Sequence, residues 1–163
     1  IPNVLKGWGE TAEGVDHHLD LGEMLIRNVS TDIRRGFGDT QKNGNSIFVF
    51  EVEGLCIGHL GHFHHEPNEE QYAALGRVDV VMAPVDGGLT LPTPVMTRIL
   101  KRLKSSVVIP MHWFGRSALE RFLVAMADEF EIERPGVSSL DVSLRTLPDR
   151  PTVMVLEPAY LSE

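Results

Sequence analysis

The sequence predicts an α/β fold built around one central sheet. Two nearly continuous apolar runs, "VDVVMAPV" and "SVVIPMHW", are typical of strands buried on both faces. Each is followed by a segment of helical periodicity, "TPVMTRILKRLK" and "SALERFLVAMADEF". Alternating strands and helices indicate layers packed on a sheet. A chain of 163 residues is long enough to bury the core of one domain.

The N-terminal third predicts strands and turns. After a polar, turn-rich start with a weak strand at "NVLKGW", the segment "EMLIRNVST" has the β-branched and aliphatic residues of a strand. We expect a loop rich in Gly, Asp and Asn from Arg34 to Asn45. The next segment, "SIFVFEVEGLCIGHLG", predicts a hairpin that turns at Glu53–Gly54.

Helix and strand boundaries follow from capping residues. "NEEQYAALGR" predicts a short helix with Asn68 as its N-cap and Gly76 near its C-terminus. In "SALERFLVAMADEF" the expected N-cap is Ser117. Two short strands are expected in the tail, around "VSLRTL" and "TVMVLEP".

Composition narrows the function classes. The formal net charge of −8, without a basic run, disfavours nucleic acid and anionic membranes as partners. No apolar run is long enough to span a bilayer, and the single cysteine, Cys56, excludes an internal disulfide. The chain opens at Ile1 without an initiator Met, so it reads as a mature or truncated product. Localisation (cytoplasmic, periplasmic or secreted) is therefore left open.

A histidine cluster follows an apolar strand in "CIGHLGHFHHEP". It holds four of the seven histidines of the chain: His59, His62, His64 and His65. Neutral imidazole is a common zinc ligand, and residues at strand ends are held still by the sheet. The alternatives are a solvated loop, a helix cap or a pH-sensing surface.

Further polar residues follow three other predicted strands. Asp86 and Gly87 come after "VVMAPV", His112 comes after "VVIPM", and Asp32 ends the strand that begins near Glu23. Asp86 could be a turn or cap residue or a metal ligand. His112 could be a packed or hydrogen-bonded histidine or a metal ligand. Asp32 could bind a metal, orient a ligand or pair with an arginine. The pair of histidines in "DHH", residues 16–18, lies in a polar turn region and is expected at the surface.

Three motifs together, "NSIFVFEVEGLCIGHLGH", "VDVVMAPVDGG.T" and "VVIPMHW", resemble the metallo-β-lactamase superfamily, in particular its lactonase-like metal-dependent hydrolases. The resemblance implies an αββα sandwich that this chain forms mainly through its C-terminal part. It also implies metal ligands. His112 matches the family's "PMH", His62 stands where the family has the Asp of "HLGD", and Asp32 stands where an earlier strand ends in His.

The resemblance further implies one or two divalent ions, most simply zinc, that activate water to attack a lactone, ester, amide or phosphodiester. A site with one ion, or an altered site, is favoured because His62 replaces a bridging carboxylate. His59 and His64 are expected to support the chemistry. The expected pocket wall consists of Asp86, Gly87 and Thr90.

The family's H-x-H-x-D-H motif is absent from these residues. We therefore expect residues 1–163 to be one N-terminally incomplete domain, with that motif upstream of Ile1. Such a domain would expose an apolar sheet face, so we expect it to pair with the missing segment or with a second copy of the chain. The small-molecule hydrolase has one main alternative, a non-catalytic metal-binding or interaction protein that retains the fold.

Overall fold

The computed structural model describes residues 4–9, 13–36 and 38–159. Within them the chain forms one eight-stranded mixed sheet and three α-helices. The strands are β1 (His18–Asp20), β2 (Met24–Arg35), β3 (Asp39–Val52), β4 (Leu55–His59), β5 (Val80–Pro84), β6 (Val107–Met111), β7 (Glu131–Glu133) and β8 (Thr152–Met154). The helices are α1 (Glu69–Leu75), α2 (Thr93–Leu103) and α3 (Arg116–Met126).

The strand order is β1-β2-β3-β4-β5-β6-β8-β7. The first four strands pair antiparallel as a meander, and the pairings from β4 to β7 are all parallel. The crossovers from β4 to β5 and from β5 to β6 contain α1 and α2. The predicted α/β architecture is therefore confirmed.

The two faces of the sheet differ in burial. One face carries strand residues that are fully buried with the helices in the main core; they include Ile47, Val49, Val81 and Val108. The register places Phe50, Ile57, Met82 and Ile109 on the opposite face, where they are only half-buried. The helices thus cover one side of the sheet. On the other side burial is uneven, because Leu55, Val80 and Val107 are buried there beside these half-buried residues.

At the turn between β3 and β4 and at both ends of α1, the local chemistry agrees with the predictions. Glu53 and Gly54 have φ values of 48° and 81°, which suit a two-residue hairpin turn between β3 and β4. Asn68 caps α1 through a reciprocal capping box with Gln71. Gly76 follows the helix with a φ of 59°, a value that glycine adopts with little strain.

Three local predictions are wrong. Residues 4–8 of "NVLKGW" form no strand, and its first residue lies outside the described part. The loop expected over 34–45 is mostly strand, because β2 and β3 pair from Arg35↔Asp39 onwards and pairing overrides the local Gly and Asn content. Around "VSLRTL" the backbone forms a turn instead, in which Thr146 N–H donates to the Ser143 carbonyl.

The remaining differences are the N-cap of α3, for which the prediction of Ser117 is wrong, and two short strands. The N-cap of α3 is Gly115, in extended conformation with φ −155°, and Ser117 lies inside the helix. Strands β1 and β7 were not predicted, since each is three residues long and is defined by its pairing with a neighbour. In the described segments no helix combines the length and the apolar character needed to cross a membrane.

Candidate metal centre

Three neighbouring strands deliver the polar residues to one edge of the sheet. His62 follows β4, Asp86 follows β5 and His112 follows β6. The loops remain tied to the sheet, because Leu60 N–H donates to the Met82 carbonyl at 3.0 Å and Val85 N–H to the Met111 carbonyl at 2.9 Å. Ligand sites of open α/β sheets lie at this carboxyl edge.

His62 and His112 face each other at this edge. Their ring centroids are 5.2 Å apart and the rings are perpendicular. The Nδ1 atom of His62 is buried and has no hydrogen-bond partner, a state that costs about 1–3 kcal/mol unless another partner is supplied. Tetrahedral zinc with bonds of about 2.1 Å would hold two imidazole centroids about 5 Å apart. The two rings therefore fit a shared metal ion.

Asn45 holds the backbone of His62. Its side chain accepts a hydrogen bond from His62 N–H at 2.9 Å and donates to the Leu60 carbonyl at 3.1 Å and to Thr31 Oγ1 at 2.8 Å. Gly61, which lies between Leu60 and His62, has a φ of 64°, and a Cβ at this position would lie 2.4 Å from Asn45 Oδ1. Asn45 was not among the residues predicted from the sequence. The available signal was an Asn at the start of a strongly apolar strand segment.

His112 lies in a conformation that few residues adopt. Its φ of 55° is left-handed, which costs a non-glycine residue about 1–3 kcal/mol. Its Nδ1 lies 3.0 Å from Asp86 Oδ2, and the exposed ring of Phe114 packs edge-on against it with centroids 4.6 Å apart. Such strain is commonest at functional sites.

Asp86 is saturated with hydrogen bonds. Its Oδ1 accepts from the N–H groups of Gly88, Leu89 and Thr90, and its Oδ2 accepts from Thr90 Oγ1 at 2.7 Å and contacts His112. Burial alone would raise the pKa of this carboxyl, but the hydrogen bonds from Thr90, Gly88 and His112 outweigh it and hold the pKa far below the ordinary range. Asp86 is therefore ionised.

The three residues expected to form the pocket wall lie in different surroundings. Asp86 and Thr90 bond to each other, and Thr90 is fully buried. Gly87 lines a surface groove of about 620 Å³ next to the start of α2, with Val124 of α3 on its other side. That these three residues shape a substrate pocket stays a prediction.

The other clustered histidines differ in their contacts. His59 Nδ1 accepts from Gly61 N–H at 3.1 Å, and burial lowers the pKa of the His59 ring. Both nitrogens of His65 are engaged, one with Asp32 N–H and one with the Glu66 carbonyl. His65 therefore ties the loop to β2. His64 resembles His62, because its Nδ1 is also buried without a hydrogen-bond partner.

Asp32 lies at an irregularity in the pairing of β2 with β3, between Thr31 and Ile33. Bulges of this kind re-aim side chains near active sites. Its Oδ1 accepts from Asn43 N–H at 2.9 Å. Across residues 4–9, 13–36 and 38–159, no group of three or more His, Cys, Asp or Glu side chains is arranged to hold a metal. The ligand role of Asp32 stays a prediction, and His62 with His112 are the two rings that come together.

The "DHH" histidines lie elsewhere. His18 is exposed in β1, in agreement with the surface prediction. His17 is half-buried; it stacks on Phe48 and its Nε2 lies 2.7 Å from the Lys6 carbonyl.

Comparison with known proteins defines the class. A sequence profile of the family described as the β-lactamase superfamily domain matches residues 1–112. The chain belongs to this family. Among curated proteins, none matches the sequence significantly.

Three solved structures share the fold. The first is from Thermotoga maritima and is described as a candidate zinc-dependent hydrolase of the metallo-β-lactamase superfamily; it is 24% identical with a TM-score of 0.67, over 87% of this chain and 69% of its own. The second, a candidate metal-dependent hydrolase from Parabacteroides distasonis, is 13% identical with a TM-score of 0.55, over 70% and 52%. The third, the metallo-β-lactamase fold protein YhfI from Bacillus subtilis, is 12% identical with a TM-score of 0.53, over 90% and 52%.

These likenesses confirm the predicted metallo-β-lactamase-type fold. The chain spans only about half the length of the second and third structures.

Proposed function

We propose that this chain carries part of the metal site of a hydrolase, with His62 and His112 as ligands. The observation that carries the proposal is the perpendicular pair of imidazoles with centroids 5.2 Å apart, one of which has a buried and unpartnered nitrogen. Membership of the β-lactamase superfamily and similarity to structures described as metal-dependent hydrolases support it. Zinc is the ion we propose, because imidazole nitrogen suits it.

His62 and His112 are held in place by different parts of the residue. His112 is held by an ionised carboxylate at Nδ1, which leaves Nε2 as its metal-binding atom. His62 is held by its backbone, through Asn45. Catalytic zinc sites usually have three protein ligands. We therefore propose that a third ligand comes from Asp32, from His64 or from residues outside this chain's described part.

The proposed reaction is hydrolysis of a lactone, ester, amide or phosphodiester. A divalent ion bound at this site supplies Lewis acidity and makes water a better nucleophile near neutral pH. Burial lowers the pKa of the His59 ring and so favours its neutral form. We propose His59 and His64 as supporting groups and leave the substrate at the level of these classes.

Metal analysis tests the ligands. The purified protein is expected to hold zinc in near-stoichiometric amount by mass spectrometry, and His62→Ala and His112→Ala are each expected to lose most of it. The matched control is His18→Ala, because His18 is an exposed histidine of β1. Unchanged metal content in both site variants would refute the assignment.

A panel of chromogenic lactones, phosphodiesters and β-lactams tests the reaction. Turnover is expected to disappear with chelator and to return with zinc. Activity that survives complete metal removal would refute the metal-dependent mechanism.

A second candidate, a non-catalytic metal-binding protein, is favoured by the fact that only two ligand-type rings meet among the residues described. Stoichiometric zinc without turnover on the whole panel would support it.

We also propose a partner for the second face of the sheet. On this face Phe50, Ile57, Met82 and Ile109 are half-buried apolar residues beside the buried Val80 and Val107, and apolar surface left partly exposed suits an interaction surface. The partner would be a second sheet, from a preceding segment of a longer protein or from another copy. Light scattering over a range of concentrations distinguishes a homo-oligomer from a monomer of this chain.

A further inference from the structure

We propose that Asp86 is the positioning residue of His112: it determines which ring nitrogen carries the hydrogen and how the ring is turned towards His62. The inference rests on the proposed function, since positioning matters only if His112 binds a metal. It goes beyond the pocket-wall role expected from sequence. Three observations carry it, namely the hydrogen-bond pattern, the rigidity of the loop and the backbone strain at His112.

The hydrogen-bond pattern fixes the tautomer. Both oxygens of the Asp86 side chain already act as acceptors, Oδ1 from three backbone N–H groups and Oδ2 from the Thr90 hydroxyl. Because its Oδ2 lies 3.0 Å from His112 Nδ1, the hydrogen of a neutral His112 ring must be on Nδ1. The lone pair is then on Nε2. A carboxylate that accepts from the distal nitrogen of a ligand histidine is a general device for orienting the ring and raising its basicity.

The loop makes Asp86 a rigid support. Three consecutive backbone N–H groups, from Gly88 to Thr90, donate to Oδ1, and the Thr90 hydroxyl donates to Oδ2. The Asp86 side chain is only 5% exposed, whereas that of His112 is 31% exposed. Since the carboxylate is fixed by four other donors, the position of the His112 ring follows from that of the loop.

The backbone at His112 explains why support is needed. A left-handed residue directly after β6 turns the chain sharply, with a φ of 55°, and glycine would adopt this conformation with less strain. Phe114 packs against the His112 ring at 4.6 Å but is 74% exposed, so it offers a weak restraint. The hydrogen bond from His112 to the buried Asp86 carboxylate is the directional restraint.

The test uses Asp86→Asn in the full 163-residue chain. The amide oxygen can keep the backbone N–H bonds, which places the NH₂ group against His112 Nδ1. Because an NH₂ group donates, Nδ1 must then accept and the ring hydrogen moves to Nε2. Long-range ¹H–¹⁵N spectra of metal-free protein at about pH 8, where imidazole is neutral, are expected to show this change of tautomer. The His112 signals are assigned with His112→Gln.

Zinc affinity is the second readout. Competition with a chromophoric chelator is expected to show a loss of about 10- to 100-fold in Asp86→Asn. The matched control is Thr90→Val, which removes one hydrogen bond to the same carboxylate and leaves the His112 contact in place. It is expected to keep the Nδ1–H tautomer and to lose less affinity than Asp86→Asn, even where both variants are equally destabilised.

The outcomes separate this inference from the proposed function. An Nδ1–H tautomer and undiminished zinc affinity in Asp86→Asn would overturn the positioning role. The same loss of affinity in Thr90→Val as in Asp86→Asn would also overturn it, because loop damage would then be sufficient. Failure of the unmodified chain to bind zinc would refute the proposed function, whatever the tautomer of His112.

Discussion

Replacing Asn45 by Ala removes the support of His62 from inside the fold. Asn45 is 8% exposed and forms three side-chain hydrogen bonds, to Thr31, Leu60 and His62. A typical hydrogen bond contributes about 1 kcal/mol, and a buried group left without a partner costs about 1–3 kcal/mol. The three bonds together predict a loss of about 3 kcal/mol in the free energy of unfolding.

Urea denaturation of the metal-free protein measures this loss. With a slope of about 2 kcal/mol per M, the midpoint is expected to fall by about 1.5 M. The control is Thr40→Ala, an exposed position on the same strand β3, where the change should stay within about 0.5 kcal/mol. A midpoint shift under about 0.5 M in Asn45→Ala, with an unchanged slope, would refute the claim that this network holds the loop.

Two further predictions concern the same loop. Gly61→Ala places a Cβ 2.4 Å from Asn45 Oδ1 at a φ of 64° and should lower the free energy of unfolding by more than about 2 kcal/mol. The control Gly36→Ala has a φ of 52° and open space around it, so it should cost only about 1 kcal/mol. Equal urea midpoints for the two variants would contradict the steric argument. Burial lowers the pKa of His59 from 6.5, so the unfolded chain binds this proton more tightly than the folded protein does. The stability that is present above pH 6.5 should therefore be lost as the pH falls through the lowered pKa. His59→Gln in chelator should show a weaker loss between about pH 7 and pH 5, and parallel stability curves for the two proteins would count against this.

The parts of the fold that were predictable are those with a strong local signal. The runs that became β5 and β6 are almost wholly apolar, and Glu53–Gly54 has the chemistry of a tight turn. By contrast, the extension of β2 and β3 through 34–45 depends on pairing between distant residues, which local Gly and Asn content obscures. The short edge strand β7 exists because β8 lies beside it. Periodicity over three residues carries no information about such a partner.

The candidate site divides in a similar way. Family motifs singled out His62 and His112 by their register, and the fold brings their rings together. The sequence favoured His64 over His65 without any atomic reason; in the structure both nitrogens of His65 are engaged, and His64 has a buried nitrogen without a hydrogen-bond partner. Which nitrogen of a ring is engaged depends on atoms from other elements. Composition and spacing do not contain that information.

The two histidines are supported by different kinds of polar residue, and the difference follows from where each histidine sits. His62 directly follows Gly61, which has a positive φ, and the neutral Asn45 amide of β3 accepts a hydrogen bond from its backbone N–H. His112 itself has the positive φ, and an anionic carboxylate from the loop after β5 holds its ring. An amide suffices for the first, because Asn45 holds the backbone N–H of His62 and does not contact its ring. The second needs a charge, since a carboxylate both fixes the tautomer and increases the basicity of the ring. Damage to Asn45 should therefore appear mainly as lost stability, and damage to Asp86 mainly as lost metal affinity.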